Sequence, residues 1–223
     1  MYSFLPLCTI FFMGSVLIIT GGEGPNTAPP FEYDEIIASD SGYDRAVRLG
    51  LKPSLILGDM DSTSFRDEIT ASGAIVYPRD KDESDTELAI RRSGGRMYDL
   101  LGGGGGRTDH LLAVLALFDR YPLPRYWFTG EDVLVSCSGE LVLSLEKDMD
   151  VSIIPATGRT SRVTSSGLRW ELDDCVISHS SVSLSNRAAS GIVTVKSIGD
   201  VFVRLPIRTL PILPDCVLSY IKR

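Results

Sequence analysis

Short apolar runs alternate with helix-like segments through the first half of the chain. The apolar runs are SVLII, EIIAS, SLIL, AIVY, MYDLL and YWF, and they lie between residues 15 and 128. The segments between them include SGYDRAVRLG, TSFRDEITASG, SDTELAIRRSGG and RTDHLLAVLALFDR. Strand and helix patterns that alternate in this way predict a mostly parallel sheet with helices on both of its faces.

Several of these helices carry recognisable end signals. Gly50, Gly73 and Gly94 stand where the helical patterns stop, and glycine is the residue that most often follows a helix. The sequence SDTE, residues 84–87, forms a capping box. The capping box places Asp85 in the first turn of the following helix.

From about Glu131 the pattern changes to short runs rich in Val and Ser. These runs are DVLVSCS, ELVLSLE, VSIIPA, SRVTSSG, CVISHSSVSLS, IVTVKSIG and VFVRLP. They show no helical period, which predicts an all-β sandwich or barrel of about eighty to ninety residues. We therefore predict an α/β domain with a Rossmann-like sheet over residues 1–130 and an all-β sandwich over residues 131–223.

The N-terminal stretch FLPLCTIFFMGSVLIIT is apolar enough to suggest an export signal. No Lys or Arg precedes Arg45, so the basic region of a signal peptide is missing. The run is short for a membrane span and is interrupted by Pro6 and Gly14. We expect a buried first strand from Ser15 to Thr20, with Met13 as a possible natural start.

The net charge and the numbers of cysteines and histidines argue against several classes of protein. The 223 residues carry a net charge of −7 with a sequence pI of about 4.9, which disfavours nucleic-acid binding. The four cysteines, Cys8, Cys137, Cys175 and Cys216, form no C-x-x-C pair and indicate buried thiols in a reducing, cytoplasmic compartment. His110 and His179 are the only histidines, so one chain cannot build a multi-histidine metal site.

Carboxylates follow three of the predicted strands. Asp40 follows IIAS, Asp59 and Asp61 follow LIL, and RDKDESD, which ends at Asp85, follows AIVYP. The glycine run Gly102–Gly106 follows YDLL in the same way. The carboxyl ends of parallel strands share one edge of a sheet, so these four loops are expected to meet at one cleft.

Such a cleft suits a nucleoside triphosphate with a divalent cation. Clustered aspartates repel one another unless a cation lies among them, and Mg²⁺ prefers hard oxygen ligands together with substrate phosphates. The glycine run and the helix after it would offer backbone N–H groups to an anion. Arg107 adds a guanidinium at the same place.

Each of these features also has a purely structural interpretation. Aspartates after strands are common helix caps and turn formers. Lys81 is compatible with a solvated charge, and His110 with a local hydrogen bond in a first helical turn. The glycines match neither G-x-x-x-x-G-K-[ST] nor G-x-G-x-x-G. Only their combination favours a phosphate site.

The combination resembles a known family. The segments IIASDSGYDRAVRLGLKPSLILGDMDS, YPRDKDESDTELAI and GGGGGRTDHLLAVLALF are similar, in this order, to the N-terminal signatures of thiamin pyrophosphokinases. The segments VSIIPATG, VTSSGLRWELDD and LSNRAASGIVTVKSIGDVFV resemble the β-domain of that family. The resemblance extends from about Met13 to Leu205.

The resemblance implies transfer of a diphosphate from ATP to the hydroxyl of thiamin, which yields thiamin diphosphate and AMP. It implies a homodimer that holds thiamin between the α/β domain of one subunit and the β-domain of the other. It also implies a catalytic group of Asp59, Asp61, Asp85, Arg107 and Asp109, of which the first three hold Mg²⁺. The resemblance implies an ATP-binding group of Asp40, Gly58, Lys81, Gly104, Gly105 and Gly106. It implies a thiamin-binding group of Trp170, Ser185 and Asn186.

The sequence departs from the family pattern in two places. The usual Asp-Gly-Gly-Ala is replaced by Asp40-Ser41-Gly42-Tyr43, and Arg187 stands where the family often has an acid. Core packing explains Trp170 as well as a thiamin contact does.

Three other functions are compatible with parts of the sequence. They are a pyrophosphokinase of another hydroxymethyl substrate such as a pterin, a non-catalytic nucleotide or thiamin sensor, and a dinucleotide oxidoreductase. The last would need a glycine fingerprint that opens a helix directly after the first strand, and TGGEGP does not provide one.

Overall fold

The structure is a computed structural model that describes residues 14–222, so the expectations for Pro6, Cys8 and Met13 concern residues outside the described part. Five α-helices are described: α1 Gly42–Arg48, α2 Arg66–Ala71, α3 Asp85–Arg92, α4 Thr108–Leu117 and α5 Leu213–Cys216. The strands are β1 Val16–Ile19, β2 Glu35–Ser39, β3 Leu55–Gly58, β4 Ile75–Val76, β5 Tyr98–Leu101, β6 Tyr126–Phe128, β7 Asp132–Cys137, β8 Gly139–Ser144, β9 Asp150–Pro155, β10 Ser161–Ser166, β11 Cys175–Ile177, β12 Ser183–Arg187, β13 Ile192–Ile198, β14 Val201–Pro206 and β15 Val217–Lys222.

The first six strands form a parallel sheet in the order β4-β3-β2-β1-β5-β6. The chain builds this sheet outward from β1 to β4 and then returns to place β5 on the other side of β1. The strand order therefore reverses between β1 and β5. In open α/β sheets, ligands bind outside the carboxyl ends of the strands at such a reversal.

Alternate side chains of β1 enter two different cores. Leu17 and Ile19 belong to one core cluster, which also holds Ala46 of α1. Val16 and Ile18 belong to the other, with residues of α3 and α4. Helices thus cover both faces of the parallel strands, as the sequence pattern predicts. Residues 20–34, which connect β1 to β2, form no helix, and the Rossmann-like description stays a prediction.

The ten-stranded sheet continues into the second half of the chain. β7 pairs antiparallel with β6, and β14, β9 and β12 follow it outward in that order. The remaining strands form a five-stranded antiparallel sheet in the order β11-β10-β13-β8-β15. The predicted domain boundary at residues 130 and 131 lies in the turn between β6 and β7, and the division into two domains stays a prediction.

The five-stranded sheet packs on one face of the β7–β14–β9 part of the large sheet. Val133, Val135 and Val203 face this shared core, together with Val193 and Val195 of β13. The prediction of an entirely β-structured second half is wrong for residues 207–216. These residues form a 3-10 helix, Ile207–Ile212, that leads into α5. Two prolines fix the backbone there, and the segment is too short for a helical period to be visible in the sequence.

The state of the cysteines and the length of the helices can be described for residues 14–222. Cys137, Cys175 and Cys216 are free thiols, and the first and last are buried. Between residues 14 and 222, every helix is too short or too polar to cross a membrane.

Candidate functional site

A cleft of about 720 Å³ opens at the carboxyl ends of β1, β2, β3 and β5, where the strand order reverses. It is formed by the loops that follow these four strands, by the loop that follows β4, and by residues of α3 and α4. The lining residues are Thr20, Gly21, Gly22, Glu23, Ser39, Asp40, Ser41, Asp59, Asp61, Ser62, Arg79, Lys81, Ser84, Asp85, Thr86, Gly103, Gly105, Gly106, Arg107, His110, Ala113 and Val114. Loops that are distant in the sequence therefore converge as the sequence predicts.

Three aspartates form a compact cluster in this cleft. One carboxylate oxygen from each of Asp40, Asp59 and Asp61 lies within 4.8 Å of the other two. Asp40 has a φ of 46° and Met60 has a φ of 58°, values that residues other than glycine seldom adopt. The buried Met60 side chain anchors the turn between Asp59 and Asp61. Strained backbone of this kind concentrates at functional sites.

A lysine separates this cluster from the fourth aspartate. Lys81 Nζ lies 3.4 Å from Asp59 Oδ2 and 3.1 Å from Asp85 Oδ1, and its side chain is 11% exposed. Arg79, which is exposed, pairs with Asp61 at 3.1 Å. Two cationic side chains therefore face four carboxylates. The remaining two negative charges would be neutralised by one divalent cation.

The electrostatics of the cleft also fit a cation. Burial raises the pKa of Asp40, and the carboxylates of Asp59 and Asp61 raise it further. Burial also raises the pKa of Asp85, although Lys81 acts against it. Asp85 Oδ1 is buried, and its charged partner is the Lys81 ammonium at 3.1 Å. Hard carboxylate oxygens that lie close together and repel one another are ligands that suit Mg²⁺.

Local structure explains how the carboxylates are placed. Ser84 caps α3 by accepting a hydrogen bond from the Glu87 N–H at 3.2 Å, as the capping box predicts, and this places Asp85 in the first turn. Asp44 of α1 accepts hydrogen bonds from Thr63 and from the Ser64 N–H, and so ties the loop after β3 to α1. Ser62 Oγ donates to Asp61 at 2.7 Å, and this hydrogen bond lowers the pKa of Asp61.

Gly58 lets two of the aspartates approach each other. Its φ is 138°, and an added Cβ would lie 3.1 Å from the Asp40 backbone nitrogen and 3.2 Å from Asp85 Cγ. A side chain at this position would push apart the two loops that carry Asp40 and Asp85. The family resemblance places Gly58 in the ATP-binding group. In the structure, the absence of a side chain at Gly58 leaves room for Asp40 and Asp85.

We expect Gly58→Ala to weaken divalent-cation binding by about tenfold or more, because small displacements of binding groups have large effects. The measurement is a calorimetric titration with Mn²⁺. Gly50→Ala is the matched control, because Gly50 also has a positive φ, 69°, but its Cβ would meet nothing within 4 Å. Both variants should lose about 1–2 kcal/mol because alanine is strained at a positive φ, and Gly58→Ala should lose more because its Cβ meets Asp40 and Asp85. Equal Mn²⁺ affinity in both would contradict the role of Gly58.

The glycine run is a packed loop and not a linker. An added Cβ on Gly102 would lie 2.3 Å from the Thr20 carbonyl oxygen, and one on Gly104 would lie 2.2 Å from Thr129 Cβ. Gly103, Gly105 and Gly106 line the cleft. Gly104 faces Thr129 and is not a lining residue, and its predicted contact with the ligand stays a prediction.

Arg107 and Asp109 form an exposed pair at the rim. Arg107 Nη2 lies 2.6 Å from Asp109 Oδ2, and Arg107 Nε donates to Asp109 Oδ1 at 3.1 Å. This hydrogen bonding by Arg107 lowers the pKa of Asp109 to about 2. Arg107 lines the cleft, whereas Asp109 is not among the lining residues and contacts Arg107 instead. The structure thus supports a direct position at the cleft for Arg107 only.

The residues predicted to bind thiamin lie together on the edge of the large sheet. Asn186 is 2% exposed; its Nδ2 donates to the Trp170 carbonyl at 2.6 Å, and the Trp170 N–H donates back to Asn186 Oδ1 at 3.2 Å. Ser185 has a φ of 54° within an irregular stretch of β12. Trp170 is 57% exposed, so core packing does not explain it.

The two departures from the family pattern have different consequences. Ser41 lines the cleft, whereas the Tyr43 hydroxyl donates to Glu68 at 3.3 Å and its ring contacts Phe65 edge-on, away from the cleft. Arg187 pairs with Asp150 at 3.5 Å on the surface. Ser41 is thus the departure that affects the shape of the cleft.

Sequence reasoning missed the loop that follows β1. Gly21, Gly22 and Glu23 line the cleft and contact the glycine run: the Gly103 N–H donates to the Gly21 carbonyl at 2.7 Å, and the Gly104 N–H donates to the Glu23 carbonyl at 3.1 Å. The available signal was the position of GGEG directly after the first strand. Thr86 was also missed; its hydroxyl lies 2.6 Å from that of Thr20 and joins α3 to β1.

Comparison with family models gives two matches. The model described as "Thiamin pyrophosphokinase, catalytic domain" matches residues 32–123, which include the acidic cluster and the glycine run. The model described as "Thiamin pyrophosphokinase, vitamin B1 binding domain" matches residues 140–201, which include Trp170 and Asn186. Together the two matches cover more than half of the chain.

Individual proteins agree with these matches. Thiamine pyrophosphokinase 1 of Arabidopsis thaliana is 28% identical over 79% of this chain and 74% of its own length. The crystal structure of thiamine pyrophosphokinase from Bacillus subtilis covers 86% of this chain and 98% of its own, with a TM-score of 0.69 and 22% identity. The thiamin pyrophosphokinase structure from Geobacillus thermodenitrificans covers 86% and 97%, with a TM-score of 0.66 and 24% identity. The two structures establish a shared fold.

Proposed function

Because this chain belongs to the thiamin pyrophosphokinase family, we propose that it transfers the diphosphate group of ATP to the hydroxyl of thiamin, which gives thiamin diphosphate and AMP. The observation that carries the proposal is the acidic cluster of Asp40, Asp59 and Asp61 in the same cleft as the glycine run. A cation site beside backbone N–H groups suits a polyphosphate.

We assign Mg²⁺ to this cluster. Asp40, Asp59 and Asp61 would hold it, and Asp85 would face it from α3 beside Lys81. The assignment modifies the expected ligand set, because Asp40 takes the place of Asp85 among the three clustered carboxylates. When bound, Mg²⁺ neutralises charge that develops on the phosphate oxygens.

The proposed reaction is an in-line displacement at the β-phosphorus of ATP. The thiamin hydroxyl oxygen forms a bond to the β-phosphorus, the bond from that phosphorus to the oxygen bridging to the α-phosphorus breaks, and AMP leaves with that oxygen. The hydroxyl proton passes to an aspartate of the cleft. Arg107 and the backbone of Gly105 and Gly106 would orient the phosphates, and such transfers depend mainly on positioning and charge stabilisation.

The placement of the two groups of site residues supports a homodimer. Five strand spacings separate β12, next to which Trp170 lies, from β5, which precedes the glycine run. At about 4.8 Å for each spacing, the separation across the sheet is roughly 24 Å. Thiamin is too small to bridge this distance, so we propose that Trp170, Ser185 and Asn186 complete the cleft of a second subunit.

A mixture of two inactive variants tests this arrangement. Asp59→Asn disables the cleft and Trp170→Ala disables the thiamin side, so each homodimer should be inactive. A heterodimer of the two, isolated with separate affinity tags, has one intact composite site, and we expect it to recover about half of the wild-type activity. A purified heterodimer without activity would contradict the shared site.

Product analysis tests the reaction itself. The purified protein is incubated with ATP, Mg²⁺ and thiamin, and we expect AMP and thiamin diphosphate in equal amounts. ADP with thiamin monophosphate would overturn the proposed mechanism. Tight thiamin binding without any product would favour a sensor, and turnover of a hydroxymethyl pterin instead of thiamin would reassign the substrate. The cytoplasmic location stays a prediction.

A further inference from the structure

Arg45 of α1 is a buried guanidinium without an acidic partner. It is 8% exposed, and within residues 14–222 no carboxylate lies close enough to form an ion pair with it. Its Nη2 donates a hydrogen bond to the Gly22 carbonyl, and its Nε has no hydrogen-bond partner in the described residues. The partly buried Arg125, by contrast, is paired with Asp99 through two hydrogen bonds.

An unpaired buried guanidinium is unfavourable for the folded protein. Arginine stays protonated, so its charge must be balanced inside the structure or tolerated there. Burial lowers the pKa of Arg45, the like charge of Arg48 lowers it further, and Glu23 acts in the opposite direction. Such a residue calls for an explanation beyond stability.

The contacts of Arg45 lead directly to the cleft. Its guanidinium lies against residues 21–24, and an added Cβ on Gly24 would be 2.9 Å from Arg45 Cζ. Gly21, Gly22 and Glu23 of the same loop line the cleft. The backbone of this loop is hydrogen-bonded to the glycine run. Arg45 therefore contacts residues 22 and 24 directly and is linked to the glycine run through the backbone hydrogen bonds of this loop.

We propose that Arg45 is a positioning residue that fixes residues 21–24 for the phosphates of the nucleotide, and that a bound polyphosphate completes the balance of its buried charge. The inference rests on the proposed function, because it takes a polyphosphate to be the occupant of the cleft. The acidic cluster holds the cation, and the charge of Arg45 offsets that of Glu23, the carboxylate of this loop that lines the cleft.

Shape matters in this role as well as charge. The planar guanidinium reaches the Gly22 carbonyl while it fills the space beside Gly24. A lysine would keep the charge but not this fork of donors. Arg45→Met removes the charge and retains much of the volume, whereas Arg45→Lys retains the charge alone. Arg48→Met is the matched control, because Arg48 is an exposed cation on the same helix.

The test uses inorganic tripolyphosphate with Mg²⁺ as the probe and the full-length protein in the absence of thiamin. Calorimetry measures the dissociation constant, and hydrogen exchange measures the protection of the amides in residues 21–24 and 102–106. We expect Arg45→Met to weaken tripolyphosphate binding at least about tenfold and to lower amide protection in both loops. Arg45→Lys should recover part of the affinity but little of the protection, and Arg48→Met should match the wild type.

A folded Arg45→Met variant with wild-type affinity and protection would overturn the inference. Should that variant fail to fold, Arg45→Lys with wild-type affinity and protection would overturn it equally. A merely structural arginine would lower the thermal midpoint of the free protein and leave the tripolyphosphate affinity unchanged. This test measures binding and amide protection, not turnover. If the wild-type protein binds tripolyphosphate here but forms no thiamin diphosphate in the product analysis, the proposed function is contradicted and the inference about Arg45 is not.

Discussion

Asp59→Asn is expected to lower thiamin diphosphate formation by about 10³-fold while the fold remains intact. Asparagine keeps the size of the side chain but removes one charge from the cluster of Asp40, Asp59 and Asp61. It also leaves Lys81 with a carboxylate on one side only, at Asp85. Losses of this size are usual when a group that stabilises transition-state charge is removed.

The measurement is the initial rate of AMP release with saturating ATP and thiamin, combined with the thermal midpoint. The midpoint should change little, because reduced repulsion among the carboxylates offsets the lost contact with Lys81. Asp82→Asn is the control, because Asp82 belongs to the same acidic segment but is exposed and is not a lining residue. Near wild-type turnover by Asp59→Asn would refute the assignment, and equal losses in both variants would point to net charge alone.

The parts of this fold that could be predicted from sequence are those that depend on neighbours along the chain. The capping box at Ser84 and the apolar runs of β1 to β6 act locally, so the helices and parallel strands appear close to their predicted positions. The convergence of Asp40, Asp59 and Asp85 follows from one topological rule for parallel sheets.

The remaining features depend on contacts between distant segments. Whether β7 continues the first sheet or begins a second one is decided by its pairing with β6 and β14, and its apolar pattern is compatible with both. The position of Gly104 outside the cleft lining depends on Thr129, which approaches from another loop. Arg45 looks in sequence like an ordinary charge on a helix, and only the fold places Gly22 against it.

Asp99 is the centre of a buried polar network at the opposite end of β5 from the glycine run. It is 1% exposed and accepts hydrogen bonds from Arg125 at 2.9 and 2.6 Å, from the Tyr33 hydroxyl at 2.8 Å and from the Tyr126 N–H at 3.2 Å. The Arg125 guanidinium lies 5.0 Å from the centre of the Phe31 ring. This one carboxylate therefore joins β5, β6 and the segment before β2.

Asp99→Ala is expected to lower the free energy of unfolding by about 3–5 kcal/mol, because it leaves the largely buried Arg125 without its acid. A loss of that size is a large part of the stability of a typical domain. Urea denaturation followed by tryptophan fluorescence and circular dichroism measures it. Glu83→Ala is the control, because Glu83 and Arg91 form a well-exposed pair at 2.7 Å, for which we expect a loss below about 1 kcal/mol.

The same variant separates stability from catalysis. Asp99 is absent from the residues that line the cleft, so turnover per folded molecule should stay near the wild-type value at a temperature where Asp99→Ala remains folded. A destabilisation below about 1 kcal/mol would show that water or other groups satisfy Arg125 and Tyr33 when the carboxylate is removed. A large loss of turnover in the folded variant would show instead that the Asp99 network holds the glycine run in place through β5.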